Sequence, residues 1–240
     1  MRAGKVDYGL DAPGVVRTML LLGFGLLGFG LFARTRPGWA RIESIALSMG
    51  LAYFLSGCLM VASSRIGKLR ARDRLLDRLE FRGTERVLDV GCGHGLLLIG
   101  AAHRLQTGRA VGVDLWSQGD QHANSAAATE SNARAEGVAD RIDVRDGDMR
   151  ALPFDDASFD VVVSSLAVHN VSGRDDRRRA IAEIARVLAP GGRVALMDIA
   201  HVRQYADDLR AAGLEGVTVS GWSPWIFPPV RTVTGRRPAA

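Results

Sequence analysis

Residues 87–95 read VLDVGCGHG. A short apolar run meets three glycines two apart, Gly91, Gly93 and Gly95, and LLLIGAAHRL follows. That order reads as a buried strand, a tight turn and a helix start. Glycines at such a turn let the backbone bend sharply. They also let a ligand approach where a Cβ would block it. A dinucleotide loop needs a small residue at the sixth position from its first glycine, and that position is Leu96. A Walker loop needs G-K-[ST] after four spacers, and none is present. Around this turn the sequence distributes groups able to do chemistry: the acids Asp89, Asp114 and Asp148, the imidazole of His169 and the amide of Asn170. An imidazole exchanges protons near neutral pH, while carboxylates accept hydrogen bonds from hydroxyl and amino groups. The two cysteines, Cys58 and Cys92, are not paired by spacing. No metal site is expected, and a soft-metal substrate held by several thiolates is not supported.

These groups need a scaffold that gathers them at one edge. Apolar runs at 86–90, 109–115, 141–146, 159–166 and 193–199 predict strands. Stretches near 95–105, 121–136, 174–189 and 202–212 predict helices between them. Such alternation predicts an α/β fold, a mostly parallel sheet with helices on both faces. Two more short strands, near 216–220 and 230–234, bring the sheet to seven. Ligands of open α/β sheets bind at the carboxyl ends of the strands, where Asp89, Asp114, Asp148 and His169 all fall.

VLDVGCGHG resembles the first motif of class I S-adenosylmethionine-dependent methyltransferases. AVGVDLW (110–116), GDMRALPF (147–154), SFDVVVSSLAVHNV (158–171) and RVLAPGGRVALMDIA (186–200) resemble the following motifs in order. The small-molecule branch, typified by ubiquinone and menaquinone methyltransferases, is the most similar. The resemblance implies a Rossmann-like fold and S-adenosyl-L-methionine as cofactor. It implies that Gly91, Gly93 and Gly95 form the cofactor loop and that Asp114 accepts the ribose hydroxyls. A diol offers two donors spaced much as two carboxylate oxygens. It places Asp89 near the methionine amino group, Asp148 at the adenine amino group and the Met149 backbone at the adenine ring. Trp116 is expected beside the ribose or adenine. His169, just past the fourth strand, is either the base that assists proton removal from the acceptor or a hydrogen-bonded wall residue. His94 is expected at the cofactor entrance and His103 on a helix surface. Asn170 is a candidate for orienting the acceptor. The aromatic run WSPWIFPP (222–229) offers Trp222 and Trp225 either as a substrate wall, as a membrane contact or as sheet-edge packing. The polar stretch 116–138 is a candidate lid.

Ahead of this body lie two apolar segments. Residues 18–33 hold no Asp, Glu, Lys or Arg, and neither do residues 44–64. A spanning helix needs about 20 apolar residues. The expected spans are about 14–33 and 44–64, with a turn at Pro37 and Gly38 and an interfacial anchor at Trp39. The alternative is a pair of core helices in a soluble domain. The flank after the second segment holds Arg65, Lys68, Arg70, Arg72 and Arg74, against Arg34, Arg36 and Arg41 in the connecting loop. Lys/Arg bias therefore predicts a multi-pass protein of the cell (inner) membrane with both termini and the body cytoplasmic.

The expected organisation is a hairpin at 1–64, a basic linker helix at 65–85 and a cofactor-binding domain at 86–240. Composition agrees: hydrophobic residues are 47% and charged residues 24%, which excludes a disordered chain. Residues 1–82 hold 13 Lys/Arg against 6 Asp/Glu, while residues 83–240 hold 18 against 20. A body without net positive charge disfavours nucleic acid as partner. The expected partners are a small, lipophilic acceptor and the lipid bilayer. The rival readings are a cofactor-binding membrane sensor or scaffold without turnover, and a protein methyltransferase.

Overall fold

In a computed structural model, which describes residues 6–116 and 124–239, two long helices precede an α/β body. Helix α1 spans Pro13–Arg34 and α2 spans Ala40–Ala62. They pack antiparallel through glycines placed seven apart on each helix. A Cβ on Gly23 would lie 2.7 Å from the Phe54 backbone nitrogen, and one on Gly50 would lie 2.8 Å from that of Leu27. Gly30 and Gly57 face Leu47 and Leu20 as closely. Small residues let the two backbones approach, the usual means of packing helices where burial from water supplies no drive. Gly25 and Gly28 meet nothing within 4 Å, so they stand outside this seam. The outer faces expose Leu21, Phe24, Leu31, Ile45, Leu51 and Leu59, each by more than 50%.

A single turn of π-helix, Ser63–Gly67, joins α2 to α3 (Lys68–Asp77). The linker helix expected at 65–85 is thus helical from Lys68 to Asp77 and continuous, through the π turn, with the second apolar helix. The body follows as β1 (Arg86–Val90), α4 (Leu96–Ala102), β2 (Arg109–Asp114), α5 (Ala126–Ala135), β3 (Ile142–Asp146), β4 (Phe159–Ser165), α6 (Arg174–Val187), β5 (Leu188–Asp198), α7 (Val202–Ala211), β6 (Glu215–Val219) and β7 (Arg231–Arg236). The seven strands form one sheet in the order β3-β2-β1-β4-β5-β7-β6. All pairings are parallel except those of β7, which runs antiparallel to β5 and to β6. The central strands are buried on both faces, as continuous Val/Leu runs demand. One apolar cluster gathers α3, α4 and one sheet face; another gathers α6, α7 and the other face.

Strand β5 begins five residues before the expected 193. The Pro-Gly-Gly at 190–192 is not a free turn. Leu188 pairs with Phe159 across a register shift, and Gly191, at φ +72°, donates its N–H to the Arg237 carbonyl. The candidate lid at 116–138 divides: 117–123 lies outside the described residues, and 126–135 is helix α5, capped where Ser125 Oγ accepts from Ala128 N at 3.2 Å.

The glycine seam makes a prediction. Gly23→Val or Gly50→Val forces the helix backbones apart and lowers the melting temperature in detergent. Gly25→Val, on an open face, leaves it within about a degree or two, since an exposed substitution shifts stability by less than about 0.5 kcal/mol. Equal loss at Gly25 would contradict the observed helix register.

Candidate active site

The sheet order places β1 beside β4, on either side of the point where the connections reverse direction. Such a point opens a crevice at the carboxyl ends of the strands. The turn after β1 fills its floor. Gly91 N and Cys92 N both donate to the Val113 carbonyl at the end of β2. Gly91, Gly93 and Gly95 have φ of +72°, +50° and +84°, a region that L side chains rarely adopt. A Cβ on Gly91 would stand 2.3 Å from that of Ala167, so no larger residue fits there. Helix α5 holds the loop from outside: Thr129 Oγ1 donates to Gly93 O and Asn132 Nδ2 to His94 O.

A cavity of about 540 Å³ lies over this loop. Asp89, Gly91, Gly93, Asp114, Asp148, Met149, His169 and Asn170 all line it. Asp114 accepts from Gly93 N at 2.8 Å through one oxygen and from Trp116 N at 2.7 Å through the other. Asn124 Nδ2 also donates to the latter oxygen, at 3.4 Å, so of about four carboxylate lone-pair sites room remains for a ligand hydroxyl. Asp148 is held by Arg150, whose Nη2 lies 2.6 Å from Oδ2 and whose Nε lies 3.0 Å from each oxygen. Those hydrogen bonds keep its carboxyl below the usual carboxylate range. Asp89 is buried and accepts from Leu98 N at 2.8 Å. Burial, with the nearby Asp114 charge adding to it, pushes the Asp89 carboxyl up to about 8.

The expected residues that lie elsewhere are Gly95, Trp116, Trp222 and Trp225, none of which lines the cavity. Gly95 caps α4, and a Cβ there would press on Thr129. The Trp116 indole is part-buried against the core, its Nε1 donating to Asp146 Oδ1 at 2.5 Å. Trp222 is 65% exposed beneath Arg231, and the Trp225 ring lies between the guanidinium groups of Arg70 and Arg74. Their neighbours Ile226, Phe227 and Pro228 line the cavity instead. His94 does line it, with Nδ1 3.1 Å from the Asp7 carbonyl, and His103 sits on the surface against Glu136.

Several cavity residues had no sequence signal. Tyr8, Asp11 and Ala12 form a strap ahead of α1, and Met60 and Lys68 come from the far end of α2 and from α3. Asp198, behind His169, was legible in principle: it ends β5, next to β4, at the same sheet edge.

Residues 88–196 match a family model described as a methyltransferase domain. The body is a class I S-adenosylmethionine-dependent methyltransferase domain. Among curated relatives, the 27-O-demethylrifamycin SV methyltransferase of Amycolatopsis mediterranei is 38% identical over 132 residues, covering 54% of this chain and 44% of that protein. The ubiquinone/menaquinone biosynthesis C-methyltransferase UbiE of Dinoroseobacter shibae is 34% identical over 131 residues, covering 55% and 49%. The chain thus spans about half the length of the curated relatives it matches. Geranyl diphosphate C-methyltransferase from Streptomyces coelicolor, solved with S-adenosyl-L-homocysteine, shares the fold at a TM-score of 0.57 and 17% identity, covering 70% of this chain and 75% of that one.

The cofactor of this methyltransferase domain is S-adenosyl-L-methionine, and the cavity's chemistry fits it. The Gly91–Ala167 approach leaves a shallow cradle where ligand atoms can lie against backbone. Acids stand at Asp114 and Asp148 for a nucleoside's hydroxyl and amino donors, and Asp89 offers an acceptor for an ammonium group. When bound, the cofactor supplies a methyl group on a cationic sulfur.

With these assignments, Asp114→Ala should weaken S-adenosylhomocysteine binding by about 2–4 kcal/mol through lost charge-assisted hydrogen bonds. Calorimetry checks it, and unchanged affinity would refute the ribose role. Asp89 adds a pH dependence. Below its value of about 8 the group is protonated in the ligand-free protein, whereas an ammonium partner favours the carboxylate. Binding therefore releases a proton, and affinity rises with pH up to about 8 and then levels. Titration in buffers of different ionisation enthalpy reads the proton released, and Asp89→Asn should abolish it.

Proposed function

We propose that this chain is a membrane-anchored methyltransferase that transfers a methyl group from S-adenosylmethionine to a small, lipophilic acceptor. The observation that carries this reading is the extent of one cavity. Its walls run from Asp114 and Asp148 to Ala12, at the start of α1, and Met60, in the last turn of α2. The two apolar helices thus reach the reaction cavity itself. Helix α1, of 22 residues, and α2, of 23, rise about 33 and 35 Å, against a hydrocarbon core of about 30 Å. Only 17% and 22% of their most apolar windows are buried, which favours spans over the alternative of soluble core helices. The Lys/Arg bias supports a topology with both termini and the body in the cytoplasm. Relatives named for a rifamycin and for quinone biosynthesis support a small-molecule acceptor.

Within this reading Asp89, the glycine loop, Asp114, Asp148 and Met149 hold the cofactor, while Asn170 and the 226–228 segment face the acceptor. His169 stands at the acceptor as proton carrier or orienting group. The hairpin and body are joined through the strap, so the boundary at 64 divides a shared wall.

The full chain should sediment with membranes and resist a high-salt wash, because insertion is not a charge interaction. Incubated with labelled cofactor and a membrane lipid extract, it should label a lipid-soluble product. Intact S-adenosylhomocysteine binding without any label would favour the scaffold reading. A chain beginning at Arg65 lacks the strap and Met60. It should bind S-adenosylhomocysteine more weakly than the full chain, and equal affinity would show that the strap does not shape the site.

A further inference from the structure

The carboxylate behind His169 fixes what that imidazole can do. Asp198 is 2% exposed at the end of β5. Its Oδ1 accepts from its neighbour's backbone, Ile199 N, at 2.8 Å. Its Oδ2 accepts from His169 N at 3.0 Å and from the Tyr205 hydroxyl, on α7, at 3.3 Å. His169 Nδ1 stands 2.6 Å from Oδ1, close enough to donate but not aligned as a hydrogen bond in this structure. Three donors already converge on this carboxylate, and an aligned Nδ1 hydrogen would be the fourth. A lone pair on Nδ1 would oppose the carboxylate lone pairs at that distance. The hydrogen therefore sits on Nδ1, and the lone pair is on Nε2. His169 lines the cavity, and its side chain is 22% exposed.

We propose that Asp198 is a positioning residue that holds His169 as a general base, and that the acceptor is accordingly a protic group, a hydroxyl or an acidic carbon, and not a thiolate or phosphate already ionised at neutral pH. This rests on the methyltransferase reading above. In the step, the acceptor atom bonds to the methyl carbon and the carbon–sulfur bond breaks with its electron pair left on sulfur. The acceptor's proton passes to His169 Nε2. The imidazolium so formed lies against Asp198, whose charge balances it. Tyr205 keeps its proton as a donor, since burial and the Asp198 charge push its phenol upward. The proton-carrying geometry is thus built from the ends of two adjacent strands and one helix, and each part is buried or hydrogen-bonded in place.

A cap on a strand end would also bury an aspartate with backbone donors, so the test reads the imidazole itself. Full-length protein with ¹⁵N-labelled histidine, in detergent, gives the His169 tautomer from its ring nitrogen shifts, assigned by loss in His169→Gln. The expected result is a hydrogen on Nδ1 in the wild type. Asp198→Asn should shift the ring toward a mixture of tautomers, while Tyr205→Phe should leave it unchanged. A wild-type ring protonated on Nε2, or a tautomer unmoved by Asp198→Asn, would overturn the proposal. In the same preparations, methyl incorporation into membrane lipid extract should fall by about 10²–10⁴-fold in His169→Gln and at least about tenfold in Asp198→Asn, with S-adenosylhomocysteine affinity unchanged in both. Wild-type incorporation matched by His169→Gln would likewise overturn it. No incorporation by the wild type would refute the methyltransferase reading, and the tautomer would still decide the role of Asp198.

Discussion

The junction between hairpin and body depends on one buried charge. The Lys68 ammonium is 3% exposed, and all three of its donors are taken: by Tyr8 O at 2.8 Å, Gly9 O at 2.7 Å and Asp11 Oδ1 at 3.2 Å. Burial drives its pKa down, and Asp11 works against that. Leaving such a charge unpaired costs about 3–5 kcal/mol, so the strap cannot leave without a large penalty. Ser64 adds to the same clamp, accepting from Asp11 N and donating to its carboxylate. Asn132 grips Asp7 at both N–H and carbonyl and also holds the carbonyl of His94. The strap thereby links the π-helical joint, helix α5 and the glycine loop. The position of the apolar helices is fixed relative to the cofactor loop by hydrogen bonds that span more than 120 residues of sequence.

Everything past that junction follows from how a parallel sheet ends. Strands β1, β2 and β4 are apolar along their length and turn polar or glycine-rich at their carboxyl ends, because only there does the chain leave the core. Asp89, Asp114, Ser165 and Asp198 are all at such ends. Each acid finds backbone donors at the same edge: Leu98 N in α4 for Asp89, Gly93 N in the glycine loop and Trp116 N for Asp114, and Ile199 N for Asp198. Those bonds hold the acids rigidly and leave part of each facing the crevice. Hydrogen bonding to a carboxylate lowers its pKa, while burial raises it. Asp89, the deepest, falls on the burial side.

That difference explains what was legible in the sequence. Continuous apolar runs and the G-x-G-x-G spacing are local patterns that located the strands and the glycine turn, and the resemblance to the methyltransferase motifs added Asp114, Asp148 and Met149 beside His169 and Asn170 on the same crevice. The roles of Trp222 and Trp225 were not legible, because which residues of an aromatic loop face inward depends on its docking against Ser63 and Gly67, a contact more than 150 residues away. Trp116 was placed beside the cofactor by its position after Asp114. Its backbone φ of +58° sends the ring to Asp146 instead, and nothing in the residue type forecasts a positive φ. The strap left no pattern at all. Seven mixed residues before an apolar helix carry no motif, and their place in the cavity wall arises from distant partners, Lys68, Ser64 and Asn132.

The cavity's two ends suit the charge movement that the chemistry requires. The cofactor, when bound, would supply a positive charge on sulfur, and the acids of this crevice would hold its nucleoside and ammonium groups. At the end, with a protic acceptor, the positive charge belongs to an imidazolium at His169. Transfer therefore moves one positive charge across the crevice, from the end of β1 toward the ends of β4 and β5. A buried site cannot rely on water to follow that charge, so fixed groups must await it. Asp198 does so with its position already set by backbone and Tyr205 donors, and little reorganisation is needed when the charge arrives. The apolar wall at Ala12, Met60 and Ile226–Pro228 contributes nothing to that movement. In the proposed reaction its part is to seat the acceptor and exclude water, which would keep the interaction between Asp198 and the new imidazolium strong in a medium of low polarity.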